Sequence, residues 1–187
     1  PFSGPQEQGF ITGLFTDPNG AAQGTDDEVR ARLLHAADQI RVGLAGNLAD
    51  YTFENAEGRP VRGSEVDYNG SPAGYTQSPR ENVVYVAAHD NETLFDAVQL
   101  KAPEALPTAE PVRVTNHDLS LVALSQRRPF FNAGDDLLRS KSLDRNSYNS
   151  GDWFNRLDFS YRTNNWGVGL PPAGENEANW PLMSRLL

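Results

Sequence analysis

The sequence predicts an α/β fold with parallel strands, and three observations carry that expectation. A capped amphipathic helix occupies residues 25–46. An unbroken apolar run of strand character at 82–88 leads straight into a second helical stripe. A further short apolar run, PFFNAG at 129–134, follows a third helical pattern. The order is helix, strand, helix, helix, strand, with long loops after the strands, and strands joined through helices pair in parallel. Two strands are too few to close a sheet.

The first helix is announced by Thr25-Asp26-Asp27-Glu28. This is a capping box: the Thr hydroxyl meets the amide three residues on, and the Glu reaches back to the Thr amide. Val29, Leu33, Ala36 and Ile40 then recur on one face until Gly43 or Gly46 ends the run. His35 lies within this pattern and reads as a packing or surface residue, because a lone helical His seldom has chemistry. Residues 50–80 have another texture. Gly and Pro punctuate them throughout and no period survives. Tyr51, Phe53, Tyr68 and Tyr75 nevertheless suggest an ordered loop packed on something, and loops of this length are functional or disordered.

In NVVYVAA (82–88), Val83, Val84, Tyr85 and Val86 are continuous rather than alternating, which fits a strand buried on both faces. Asp90 or Asn91 can cap the following helix, whose stripe is Leu94, Phe95 and Val98. A Pro-rich turn (103–111) precedes a helix near 112–126 carrying Leu119, Val122 and Leu124. Composition narrows the function classes. A length of 187 residues suits one domain, and a net charge of −9 argues against binding nucleic acid through its phosphates. No apolar run approaches the roughly 18 residues of a membrane span. The absence of cysteine excludes disulfide and thiol chemistry. The chain opens on Pro1 rather than Met, so it is expected to be part of something longer.

In α/β folds the chemistry collects at the carboxyl ends of strands, on loops leading to helices. His89 and Asp90 stand at such an end. A carboxylate held there, with a helix amino terminus behind it, suits stabilising a developing positive charge or gripping a hydroxyl. The bland alternative is that Asp90 caps the helix and His89 packs, and spacing alone leaves the two readings level.

VYVAAHDNETLFD resembles the fourth conserved segment of the α-amylase superfamily in the form found in pullulanases and limit dextrinases. SQRRPFFNAGDDLLRSKSLDRNSYNSGDWFNRLDFS (125–160) is similar to the same enzymes at the eighth barrel strand and its loop. NNWGVGLPPAGENEANWPLM, GLFTDPN and DQIRVGLAGNLADYTF continue the match. Asp136 stands where these enzymes often carry Glu, and Ala87 where Ser is common. The resemblance implies the C-terminal portion of a (β/α)8 barrel, about strands 6/7 to 8, with 82–90 as strand 7, 129–134 as strand 8 and 135–187 as a long substrate-side loop. It also implies hydrolysis of α-1,6 linkages in pullulan, amylopectin and limit dextrins with retention of configuration. An α-1,4-acting amylase relative is the alternative, and a noncatalytic carbohydrate-binding module fits the helical signals less well.

The resemblance further implies that Asp90 is the third acidic residue, a transition-state stabiliser that does not attack. His89 would donate to the same sugar, and Asn91 would brace the loop or touch the neighbouring subsite. Asp152 and Arg156, four apart in GDWFNR, would bind the preceding sugar, unless they form a mutual ion pair; Asp135/Arg139 and Asp144/Arg145 compete for that role. Trp153, Phe154, Trp166 and Trp180 could stack on glucose rings, but most are expected to pack beneath the loop. His117 is assigned no role. Retaining glycosidases need a nucleophile and a general acid, and nothing in this chain matches the segments that supply them. The fragment alone is therefore expected to be inactive, and its partners are a branched α-glucan and the missing N-terminal half of the barrel. Neither nucleic acid nor a membrane is expected as a partner. No metal site and no cofactor is expected from the residues, since no Asp/Asn-rich loop has calcium-ligand spacing, although the resemblance allows calcium in the complete enzyme.

Overall fold

Helix α1 (Asp26–Leu44) begins where the capping box sets it: the Thr25 hydroxyl accepts the Glu28 amide and Glu28 accepts the Thr25 amide. The computed structural model describes residues 4–107 and 109–187, and these divide into two compact units. One comprises 8–85 and 120–130; the other comprises the N-terminal residues up to 7, 86–119 and 131–187.

In the first unit, α1 buries Val42 against Val66 and Ala73, with Phe53 and Val61 packed around them. His35 lies on its exposed side, within hydrogen-bond distance of Gln39. The irregular 50–80 region resolves into two short antiparallel hairpins: β1 (Thr52–Glu54) with β2 (Pro60–Arg62), and β3 (Asp67–Tyr68) with β4 (Ser71–Pro72). Strands of two or three residues are too short to show a period, which is why the sequence reads as loop. Backbone crowding organises the region. A Cβ on Gly63 would lie 2.3 Å from the Leu48 carbonyl oxygen, and one on Gly74 would lie 2.5 Å from the Gly63 carbonyl carbon. Of the four aromatics expected to pack, Tyr51 stacks on Phe53, whereas Tyr68 and Tyr75 are exposed.

The strand expected at 82–90 is shorter in the structure. β5 is Val83–Val84, and it pairs in parallel with β6 (Arg128–Pro129), at the start of the run expected at 129–134. One more bond, from the Phe130 amide to the Val84 carbonyl, ends the ladder. The expected burial on both faces does not hold, because Val83, Tyr85 and Val86 are exposed. A strand with one neighbour has neither the second ladder nor the covering layers that bury a central parallel strand.

The second unit carries α2 (Leu94–Lys101) and the first part of α3 (Ala109–Leu124). The α2 cap is Thr93, whose hydroxyl accepts the Asp96 amide at 3.2 Å, and neither Asp90 nor Asn91 caps it. Three residues of irregular backbone separate Asp90 from the first turn, which puts its carboxylate out of capping reach. Thr108, inside the Pro-rich turn, lies outside the described residues. Ala87, Leu94 and Val98 pack with Val114 and Leu119. The 135–187 segment is not wholly loop: α4 (Asp152–Asn155), α5 (Trp180–Leu186) and several 3-10 turns interrupt it. Leu143, Leu182 and Met183 form a core with Leu100, covered by Trp166 and Trp180. Phe154 is buried, while Trp153 is exposed. No described helix is long and apolar enough to cross a membrane.

Candidate active-site cleft

His89, Asp90 and Asn91 occupy the irregular segment between β5 and α2. Asn91 adopts a left-handed φ of 61°, a conformation that Asn tolerates better than most residues. The turn presents its neighbours outward: the His89 and Asp90 side chains are 87% and 80% exposed, and His89 Nδ1 lies 3.1 Å from Asp90 Oδ1. These three residues form one wall of an open cleft of about 400 Å³. Lys141, Arg145 and the 146–148 turn form the other wall, with Asn155 at its end. Among the described residues lining the cleft, Asp90 carries the one carboxylate.

The opposite wall is held from beneath by two buried carboxylates. Asp96, fully buried on α2, accepts the Ser140 hydroxyl at 2.5 Å, the Lys141 amide at 2.7 Å and the Leu143 amide at 3.3 Å. Desolvation lifts its carboxyl to about 6, against the downward pull of these bonds. They also hold Ser142 and Leu143 at left-handed φ values of 52° and 67°. Such a conformation costs about 1–2 kcal/mol per residue, and full burial of the Leu143 side chain, worth about 1.5–3 kcal/mol, offsets it. Asp144 is the second. It accepts the Asn176 side-chain amide at 2.9 Å, the Asn146 amide at 3.1 Å and the Ser150 hydroxyl. Asn176 in turn accepts the Arg145 amide, and the Arg145 guanidinium holds both Glu92 oxygens at 3.1 Å.

Asp152 and Arg156 fall elsewhere. They bracket α4, Asp152 as its first residue and Arg156 just beyond its last, and neither lines the cleft. The alternative of a mutual ion pair is not what forms: Arg156 faces Asp158 at 4.0 Å. Among the described residues neither competing pair closes into an ion pair, although Asp135 and Arg139 attract each other. Arg145 engages Glu92, and Arg139 donates to the Asn155 carbonyl. Asn155, between Asp152 and Arg156, does reach the cleft, fixed by two hydrogen bonds with Ser147 at 2.7 and 2.9 Å. Sequence reasoning missed Lys141 and Asn155, and named Arg145 only as half of a pair competing with Asp152 and Arg156. The polar run SKSLDRNS was their signal, since a loop dense in charge and hydroxyl beside a candidate site has few other uses. Among the described residues, no three His, Asp or Glu side chains converge to hold a metal ion.

Comparison with known proteins places this geometry in context. Residues 161–187 match the family described as alpha-1,6-glucosidases, pullulanase-type, C-terminal. The chain is 54% identical over 184 residues to "Pullulanase 1, chloroplastic" of Arabidopsis thaliana, covering 98% of this chain and 19% of that protein. It is 44% identical over 181 residues to a pullulanase of Klebsiella pneumoniae, covering 97% of this chain and 16% of that one. The crystal structure of apo pullulanase from Klebsiella pneumoniae superposes with a TM-score of 0.90 at 41% identity, over 98% of this chain and 20% of that chain. The chain thus spans about a fifth or less of the length of these relatives. Over almost its whole length it is related to pullulanases, and its last residues carry the C-terminal family of the pullulanase-type α-1,6-glucosidases.

Proposed function

We propose that the complete enzyme containing this chain hydrolyses α-1,6-glucosidic bonds in pullulan, amylopectin and limit dextrins with retention, and that the chain forms the end of a (β/α)8 barrel. In this reading β5 and β6 are the seventh and eighth barrel strands. Their parallel pairing across a helical connection supports it. The observation that carries the chemistry is the single carboxylate of the cleft. Retention uses two carboxyl groups about 5–5.5 Å apart, one attacking and one donating a proton. A solitary, outward-facing Asp90 suits the remaining task, gripping sugar hydroxyls and favouring the positively charged transition state. His89 donates to the same sugar, and Asn91 sets the turn. Asp152 and Arg156 serve a neighbouring sugar. The partners are a branched α-glucan and the upstream half of the barrel, which supplies nucleophile and proton donor. Nucleic acid and membrane are not among them, and neither is a cofactor required of this chain.

The test is hydrolysis by the complete enzyme. Release of maltotriose from pullulan, with linear amylose left intact, is expected, and attack on amylose with pullulan spared would establish the α-1,4-acting alternative. Residues 1–187 alone should release no reducing sugar from pullulan until the upstream half is added. Robust, heat-sensitive activity of the purified fragment would overturn the division of labour.

A further inference from the structure

The turn at 172–178 is exposed at every position but one: Asn176 is only 3% exposed. It belongs to the 161–187 segment that matches the C-terminal family, yet its side chain is turned to the loop that walls the cleft. Its carboxamide oxygen accepts the Arg145 amide at 3.1 Å, and its nitrogen donates to Asp144 Oδ1 at 2.9 Å and to the Pro172 carbonyl at 3.1 Å. Asp144, fully buried, extends the hold to the Asn146 amide and the Ser150 hydroxyl. Beside it, Glu175 accepts the Asn146 side-chain amide at 2.9 Å and lies 3.6 Å from Arg145 Nε. Arg145 and Asn146 line the cleft, and the Arg145 guanidinium grips Glu92, two residues beyond Asp90. A carboxamide suits this place because it carries donors and an acceptor on one planar group, whereas a carboxylate only accepts. A buried polar network with its members satisfied holds a single arrangement.

We propose that Asn176 is a positioning residue for the cleft: through Asp144 and Arg145, the C-terminal segment sets where the 145–148 wall stands relative to Asp90. This inference rests on the reading of the His89–Asp90 cleft as sugar-binding. Asn176 does not line the cleft itself, so it acts on the wall and not on the sugar. Two bonds fix the backbone of the wall at its first residues, one to the Arg145 amide and one, through Asp144, to the Asn146 amide. The Glu92–Arg145 contact then ties that wall to the segment carrying Asp90. A sugar seated between the walls meets Asp90 at a distance these bonds determine, and a displacement of about 1 Å can cost about 10²-fold in rate. The C-terminal segment is in this sense part of the catalytic apparatus.

The test uses the full-length enzyme, assayed on pullulan well below the Tm of each variant. Asn176→Ala should lower kcat/KM by about 10- to 100-fold while the enzyme is still fully folded. Val42→Ala, in the core that α1 forms with Val66 and Ala73, is the control: it should lower Tm and leave kcat/KM intact. Asn176→Asp keeps the acceptor for the Arg145 amide but puts a second negative charge beside Asp144 until the new carboxyl is protonated. The charged groups around it are Asp144, Arg145 and Glu175, with Lys141 drawn to Asp144 and Glu92 held by Arg145. Its kcat/KM relative to wild type should therefore rise as pH is lowered, and this variant decides the matter if Asn176→Ala does not fold. A purely structural Asn176 gives wild-type kcat/KM at lowered Tm and a ratio flat with pH, and either result overturns the inference. Full activity of Asp90→Asn, assayed in parallel, overturns the reading of the cleft itself. Its inactivation, beside an Asn176→Ala enzyme of wild-type kcat/KM, overturns only the role of Asn176.

Discussion

The Asp96 carboxylate accepts the amide of Lys141 at 2.7 Å, although the two residues lie 45 positions apart. That bond has a pH signature. Burial lifts the Asp96 carboxyl from 3.8 to about 6, so between those values the folded chain holds a proton that the unfolded chain has released. Its contribution favours the folded state most below the lower value, and is lost as pH rises to about 6, by on the order of 3 kcal/mol. Asp96→Asn removes the titration. The difference in Tm between variant and wild type should therefore shift in the variant's favour from pH 4 to about 6 and stay constant above. A difference that is flat with pH would show a carboxylate ionised throughout.

Asp90→Asn in the complete enzyme should leave Tm almost unchanged, since the side chain is mostly exposed and, among the described residues, pairs with His89. The loss should fall on kcat, by about 10²–10³, as for removal of one preorganised electrostatic group. Near wild-type kcat would return Asp90 to a passive turn residue.

Arg156→Ala and Asp152→Ala should raise KM on branched dextrins about tenfold with smaller change in kcat, because contacts to a neighbouring sugar persist in ground and transition states alike. Stability should barely move, as the Arg156–Asp158 pair is long and its guanidinium exposed. Variants that melt lower at unchanged KM would make these residues determinants of loop shape instead.

Gly63→Ala should destabilise by about 1–3 kcal/mol, as overpacking does, because the added carbon meets backbone that cannot swing aside. Gly43→Ala, inside α1 with open space around it, should stabilise by up to about 1 kcal/mol. Thermal unfolding of the pair checks both, and equal shifts would remove the argument from crowding.

Much of this was legible in the residues. Thr25 and Glu28 fixed the start of α1, since capping is a local interaction that four residues specify. PFFNAG and NVVYVAA marked the two chain segments that pair in parallel. The boundaries failed where tertiary context decides. Val83 to Val86 read as a deeply buried strand, yet burial depends on neighbouring strands, and among the described residues β6 is the one such neighbour. Thr93 took the cap from Asp90 and Asn91 because irregular backbone separates both from the first turn, and no periodicity records that. At the site, the family motif singled out His89, Asp90 and Asn91, which do share a cleft. Lys141 stayed hidden because its position depends on Asp96, a contact across 45 positions that spacing cannot reveal. Asp152 and Arg156 looked like partners at helical spacing, but α4 is a single turn and ends before it can bring them together.

The parallel pairing of β5 with β6 also sets a timetable for biogenesis. All of α2 and α3 lies between the two strands in sequence. On a ribosome adding about 5–20 residues per second, β5 emerges several seconds before the strand that completes its ladder. During that interval Val83 and Tyr85, exposed in the described residues, border a strand edge that β6 has not yet covered. Nascent chains are therefore most vulnerable to mispairing after β5 has appeared and before β6 arrives. A translational pause placed in that window would increase aggregation, whereas the same pause after β6 would not.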